Sequence, residues 1–370
     1  MRYIAIAAAL LIVVLTSCTP PPNNPTPANG TRGQSSIESP TEPIEPPTKP
    51  IAPIEPPITA NVDASVNFEK HAPPVRRAFK FYYAGNITDL TPGAKARVWL
   101  PEATSSESQT VERVAIDLPG QHQETRDEEY GNKVIYFEAT ANEKGEIPFS
   151  VEYQVERLEL VASNSPKAAE LARYLKPNKL VPTDKTLLNV VFAGTDKPAG
   201  NPAKIARSLY DQIGLRMKYD KPDGGEWGRG DAVWACDSRF GNCTDFHSLF
   251  IALCRESKIP SYFEIGFPIS PDVKSGDVGG YHCWALFADE GKWIPVDISE
   301  ADKHPEMREY YFGNLTADRV TFTRGRDLVL KPATAVKNVN FFVYPHIEVD
   351  GKVHKKFTKG FRYEQSQLGQ

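Results

Sequence analysis

Two hydrophobic periods divide the chain. From Ala78 to Leu160 apolar and polar residues alternate: in "AKARVWL" Ala94, Ala96, Val98 and Leu100 face one way and Lys95, Arg97 and Trp99 the other. "PFSVEYQVE" repeats the pattern through Phe149, Val151, Tyr153 and Val155. A period of two marks half-buried strands. With "FKFYY" at Phe79, "VAIDL" at Val114 and "KVIYFEA" at Lys133, the segment predicts about five strands and a small antiparallel β-sandwich. Its one histidine, His122, stands in a polar stretch expected to be a loop, and it holds no cysteine. A positioning or recognition role is expected of it.

After Ser165 the period lengthens. "SPKAAELARYL" and "PAKIARSLYDQI" carry apolar residues at helical spacing, the second through Ile205, Leu209 and Ile213. "DGGEWGRGDAVWACD", Asp223 to Asp237, is glycine-rich and predicts a loop, without the glycine spacing that cradles phosphates. In "GNCTDFHSLFIALCR" the residues Phe246, Leu249, Phe250, Leu253 and Cys254 recur at i, i+3, i+4, i+7 and i+8, predicting an amphipathic helix. Asn242 is a favoured N-cap and Asp245 completes a capping box, so Cys243 falls at the first helical position. There the free N–H groups and the helix dipole favour a thiolate, and the same groups can donate to an oxyanion.

A cysteine nucleophile needs a base and a group to orient it. His247 follows four residues along the same helix, where its ring meets the packed turn, and His304 lies in a polar loop; both are expected to be structural or solvated. His282 opens the β-like "YHCWALF", and a second run, "KWIPVD", ends at Asp297. If Phe287 pairs with Lys292 across a four-residue turn, Ala288 to Gly291, His282 stands directly opposite Asp297. The spacing permits that register without requiring it.

Composition adds the setting. With 370 residues, 24% charged and 40% hydrophobic, the chain is long enough for two domains. A net charge of -4 without a long basic run disfavours nucleic acid as a partner. The cluster Lys352, Lys355, Lys356 and Lys359 is expected to be a solvated hairpin face. The opening "MRYIAIAAALLIVVLTSC" has one early cation, Arg2, and an apolar block from Ile4 to Leu15, too short to span a bilayer and suited to an export signal. Leu15-Thr16-Ser17-Cys18 is similar to a bacterial lipobox, which implies lipidation of Cys18 and anchoring of the exported protein to the cell envelope. Thirteen prolines between Pro20 and Pro57 predict an extended stalk. The expected organisation is a signal peptide at 1–17, a lipidated cysteine and stalk at 18–75, a β-sandwich at 76–160 and a catalytic domain with a C-terminal β extension at 161–370.

The blocks "GNCTDFHSLFIALCRESKIPSYFEIGFP", "GGYHCWALF" and "WIPVD", in this order, resemble the transglutaminase-like superfamily. The resemblance implies an α+β fold with a papain-like catalytic core, Cys243 as nucleophile, His282 as general base and then acid, and Asp297 as the group that fixes the imidazole. One departure is Lys258, where members usually carry glycine before the Ile-Pro pair. The chemistry expected is attack on an amide or peptide carbonyl to give a thioester. Water would make the enzyme a hydrolase, which is favoured, and a lysine amine would make it a protein cross-linker. An inactive envelope binding module is the third reading. Trp234 and Trp227 are the candidates for a second oxyanion donor. Cys254 and Cys283 are expected to pack as small hydrophobes, and pairing of Cys236 with Cys283 is left open. Zinc spacing and a calcium loop are both lacking, so neither metal nor cofactor is expected. The partners expected are a protein or peptide substrate and, through Cys18, a membrane.

Overall fold

The computed structural model describes residues 75–162, 168–184 and 186–367, so the signal segment, Cys18 and the proline-rich stretch lie outside the described residues. Six strands come first: β1 (Arg76–Ile87), β2 (Lys95–Pro101), β3 (Gln109–Asp117), β4 (His122–Arg126), β5 (Lys133–Thr140) and β6 (Ile147–Leu158). The period of two holds along β6, where every second residue from Ile147 to Arg157 is buried. His122 opens the short β4 on β5 rather than standing in a loop, because backbone pairing with Phe137 orders a segment whose side chains stay exposed.

Helices α1 (Ala168–Arg173), α2 (Leu187–Val191) and α3 (Pro202–Arg216) follow, then the two-residue β7 (Lys218–Tyr219), α4 (Ala232–Ser238) and β8 (Phe240–Gly241). The stretch expected to be loop throughout therefore turns helical at Ala232, since Asp231 caps the N–H groups of Val233 and Trp234. Beyond it lie α5 (Cys243–Glu256), β9 (Ser261–Pro268), β10 (Ser275–Asp277), β11 (His282–Asp289), β12 (Lys292–Val296), α6 (Ile298–Lys303) and β13 (Arg319–Arg324). Strands β14 (His346–Val349), β15 (Lys352–His354), β16 (Phe357–Lys359) and β17 (Arg362–Gln365) end the described chain.

The strands form three antiparallel sheets and one short parallel pair, β7 with β8. One sheet runs β10-β17-β1-β6-β3, with β16 also on β1; a second runs β15-β14-β2-β5-β4; the third, β12-β11-β9-β13, backs α5. The C-terminal β segment, expected beside the catalytic core, instead completes the first two sheets: β17 lies against β1 and β14 against β2. Phe79, Phe81, Val98 and Val151 of these sheets share one apolar cluster with Leu249, Phe250 and Cys283 of the core.

Helix α5 is the hub. The sequence pattern predicts one apolar face, yet every residue from Cys243 to Arg255 is buried. The polar ones are tolerated because each is bonded: Ser248 Oγ donates to Thr244 O, and the Arg255 guanidinium donates to Tyr174 O, Ser261 O and Asn178 Oδ1. The helix ends in a Schellman motif, with Ile259 N donating to Cys254 O and Lys258 N to Arg255 O. Lys258 takes the left-handed position, φ 62°, that glycine occupies at least cost. Lys258→Gly is expected to raise stability by about 1 kcal/mol in urea unfolding; an unchanged or lower midpoint would show that the lysine stem compensates.

Candidate active site

The capping box forms as the sequence implies. Asn242 Oδ1 accepts from Thr244 N at 2.9 Å, and Asp245 Oδ2 accepts from Asn242 N at 3.0 Å. Asp245 reaches further: Oδ2 also accepts from Gly228 N at 2.6 Å and Oδ1 from Gly230 N at 2.9 Å. One buried carboxylate thus ties the 223–231 loop to the start of α5. A side chain at Gly241 would place its Cβ 2.4 Å from Asp245 Oδ2, so glycine is required there. Burial pushes the Asp245 carboxyl up to about 6 against the pull of these N–H groups.

Cys243 is therefore fixed at the positive end of a buried helix, 2% exposed. His282 begins β11 and Asp297 caps α6, accepting from Glu300 N at 3.1 Å. The hairpin between them is tighter than expected. Phe287 pairs with Ile294 and Asp289 with Lys292, leaving Glu290 and Gly291 as a two-residue turn with positive φ at both. That is the type I′ arrangement, whose twist suits adjacent strands. The register is displaced by two residues from the expected one, and because side chains repeat every two, the face is preserved. Pairing stops at Ala285 with Val296, so Asp297 has already left the ladder when it meets His282.

His282 Nε2 lies 2.7 Å from Asp297 Oδ2, and Cys243 is near enough to act on the charge of the ring. With Nε2 engaged by the carboxylate, Nδ1 is the nitrogen left for sulfur. Burial works against charge on His282, but Asp297 and Cys243 outweigh it and raise its pKa to about 9. Burial likewise opposes a thiolate at Cys243, yet hydrogen bonds with Cys283 and His282 and the charge on His282 hold its pKa well below the ordinary thiol value. Alkylation of Cys243 by iodoacetamide is thus expected to stay fast below pH 7, where an unperturbed thiol near 8.5 has lost its reactivity. Turnover that needs the imidazolium should decline as pH rises through about 9. A reactivity profile with a single step near pH 8.5 would contradict the paired state.

Arg319 is the group that sequence reasoning missed. Its Nη1 donates to Asp297 Oδ2 at 3.0 Å, the same oxygen that His282 uses, while its guanidinium lies 4.7 Å over the Trp284 ring. Ser299 Oγ donates to Oδ1 at 3.1 Å. Against burial, His282 and Arg319 hold the Asp297 carboxyl far below the usual carboxylate range. His247, as expected, is structural: Nδ1 lies 2.8 Å from Cys243 O and Nε2 accepts from Ile298 N at 3.1 Å, which fixes a neutral tautomer, and burial lowers its pKa. His304 is solvent-exposed beside Glu300 and Glu306.

Residues 191–298, which carry Cys243, His282 and Asp297, match the family model of the transglutaminase-like superfamily. This region is transglutaminase-like. An uncharacterized protein of Haemophilus influenzae is 29% identical over 234 residues, a match covering 53% of this chain and 62% of the relative's own length. Among solved structures, a chain from Cytophaga hutchinsonii with a provisional cysteine-protease assignment aligns at a TM-score of 0.48 and 17% identity, covering 79% of this chain and 100% of that one. The periplasmic domain of TgpA from Pseudomonas aeruginosa aligns at 0.33 and 14% identity, covering 63% and 90%.

Two expectations for the transglutaminase-like core change. Trp227 Nε1 donates to Pro222 O at 3.0 Å, so that indole is not free to serve an oxyanion. The Trp234 ring stands edge-on to Phe240, with ring centres 5.4 Å apart. Tyr219 is a nearer candidate: paired with Gly241 in the parallel β7–β8 contact, it lies two residues from Cys243 in register. Burial and the nearby Cys243 raise its pKa, which keeps it a donor. The signal was local but faint, a tyrosine in a two-residue strand. Cys236, Cys243, Cys254 and Cys283 are all free, so the Cys236–Cys283 bridge does not form. No cluster able to hold a metal ion occurs among the described residues.

Proposed function

We propose that the chain is a thiol acyl-transfer enzyme that cleaves amide or peptide bonds through a Cys243 thioester. The observation that carries this reading is the buried line from Asp297 through His282 to Cys243, anchored by the 2.7 Å contact. The thiolate attacks the carbonyl carbon, and the oxyanion that forms is met by the first-turn N–H groups of α5 and the Tyr219 hydroxyl. The imidazolium of His282 gives its proton to the departing amine, the C–N bond breaks, and the thioester remains. His282, now neutral, takes a proton from water as it attacks, and Asp297 holds the ring in one orientation throughout. We further propose that lipidation of Cys18 and the proline-rich stretch hold this machinery at a cell envelope, so that water resolves the thioester on envelope peptides.

The test compares the mature protein with Cys243→Ala on glutamine-containing proteins and on peptide amides, following amine release and labelled-amine incorporation together. Release that disappears in the variant is the expected result. Incorporation without release would make the protein a cross-linker; neither product, with no alkylation of Cys243, would make it a binding module.

A further inference from the structure

Tyrosines meet the start of α5 from two sides, Tyr219 through β7 and Tyr281 just before β11, and the two sides differ in charge. On one side Tyr219 carries Lys303 at 4.0 Å and Lys221 at 5.3 Å from its ring centre. That side supplies its own anions: Glu300 pairs with Lys303 at 2.5 Å, Asp302 accepts from Tyr219 N, and Asp220 and Glu226 flank Lys221 and Arg229. On the other side the Tyr281 hydroxyl accepts from Asn242 Nδ2 at 3.0 Å and lies 3.4 Å from Thr244 Oγ1, the residues that bracket Cys243. Its ring stands 5.7 Å from that of Tyr344, whose hydroxyl accepts from Tyr281 N. Lys359 of β16 closes this series, with Nζ 4.5 Å from the Tyr344 ring centre and 3.4 Å from its hydroxyl.

Exposure rises along that side, from buried Cys243 through half-buried Tyr281 and Tyr344 to Lys359 at the rim. Among the described residues Lys359 has no salt-bridge partner. Although it is open to solvent, its surroundings are crowded enough that burial lowers its pKa, and no carboxylate offsets the effect. Tyr281 touches Asn242 and Thr244 while Tyr344 touches Lys359, so the aromatic pair links the ammonium to the residues on either side of Cys243. An ammonium held on an aromatic face, partly desolvated and lacking an anion, is matched by a ligand carboxylate.

Resting on the acyl-transfer reading, we propose that Lys359 receives a carboxylate of the substrate, so that the substrate class is an amide or peptide carrying an acidic group on the side lying against Tyr281 and Tyr344. The lysine cluster around Lys359 then has a use beyond keeping a hairpin in solution. The neutralised Tyr219 side faces the remaining part of the substrate.

Reagents that need no knowledge of the substrate test this. N-iodoacetyl amino acids with one, two or three methylenes before the carboxylate are compared with their carboxamides as alkylators of the full chain. The Cys243 thiolate forms a C–S bond, the C–I bond breaks and iodide leaves; labelling at Cys243 is followed by peptide mass. One linker length is expected to give an acid-to-amide rate ratio that falls about threefold to tenfold in Lys359→Met at low salt, with the amide rate unchanged. Lys359→Arg should keep the ratio, and 0.5 M salt should compress it. Ratios that Lys359→Met leaves unchanged at every length would overturn the carboxylate proposal while leaving the thiol chemistry intact. Failure of acids and amides alike to label Cys243 would bring down the nucleophile reading and this proposal with it.

Discussion

Asp297→Asn is expected to lower Cys243-dependent turnover by about three to four orders of magnitude while the chain still folds. The reason lies in the donors around that side chain. Oδ2 accepts from both His282 and Arg319, and Oδ1 from Ser299 Oγ and Glu300 N. An asparagine can keep its one carbonyl oxygen on the Ser299 and Glu300 side only by turning its NH2 toward two further donors. His282 must then swap its proton to the other nitrogen or rotate away, and either change removes the acceptor that Cys243 needs. The negative charge is lost as well, so the His282 pKa falls from about 9 and the thiolate loses its partner. Alkylation of Cys243 should retreat toward the pH range of an ordinary thiol. A variant that alkylates below pH 7 as quickly as the parent chain would show that Asp297 does not set the charge state of the pair.

The second large effect is on stability. Arg319 is 3% exposed and ends on a carboxylate that is fully buried. Arg319→Met keeps the length and the contact with Trp284 but strands the Asp297 charge, and breaking a buried pair from one side costs about 3–5 kcal/mol. Urea unfolding should show that loss, with Arg319→Lys recovering part of it. The same substitution has a chemical signature: with the competing cation gone from Oδ2, the carboxylate acts on His282 alone, so the basic limb of the pH–rate profile should move upward. A methionine variant within about 1 kcal/mol of the parent would mean that the ion pair contributes little beyond what an apolar side chain supplies.

How much of this was legible in the chain depended on how local the cause was. The start of α5 was readable because Asn242, Cys243 and Asp245 lie within four residues and the cap chemistry is self-contained. The hairpin was readable by face but not by register, since two-residue and four-residue turns differ by an even step and put the same side chains inward. Arg319 was invisible: it arrives 22 residues after Asp297 from β13, which is separated from β11 by β9, and nothing near it in sequence marks its target. The fully buried character of α5 was hidden for a related reason. Polar residues such as Ser248 and Arg255 imply solvent when read by period, and only the fold reveals their partners, Arg326 for Ser248 and Asn178 and Ser261 for Arg255.

The pairing of β17 with β1 sets Phe79 beside Gln365, and β14 lies along β2 from Ala96 to Trp99. During synthesis the opening strands therefore leave the ribosome long before the segments that cover their edges exist, and neither sheet can be sealed until nearly the whole polypeptide is available. A chain cut anywhere before His346 would present bare edges on β1 and β2 to other chains, an invitation to aggregate rather than a smaller working protein.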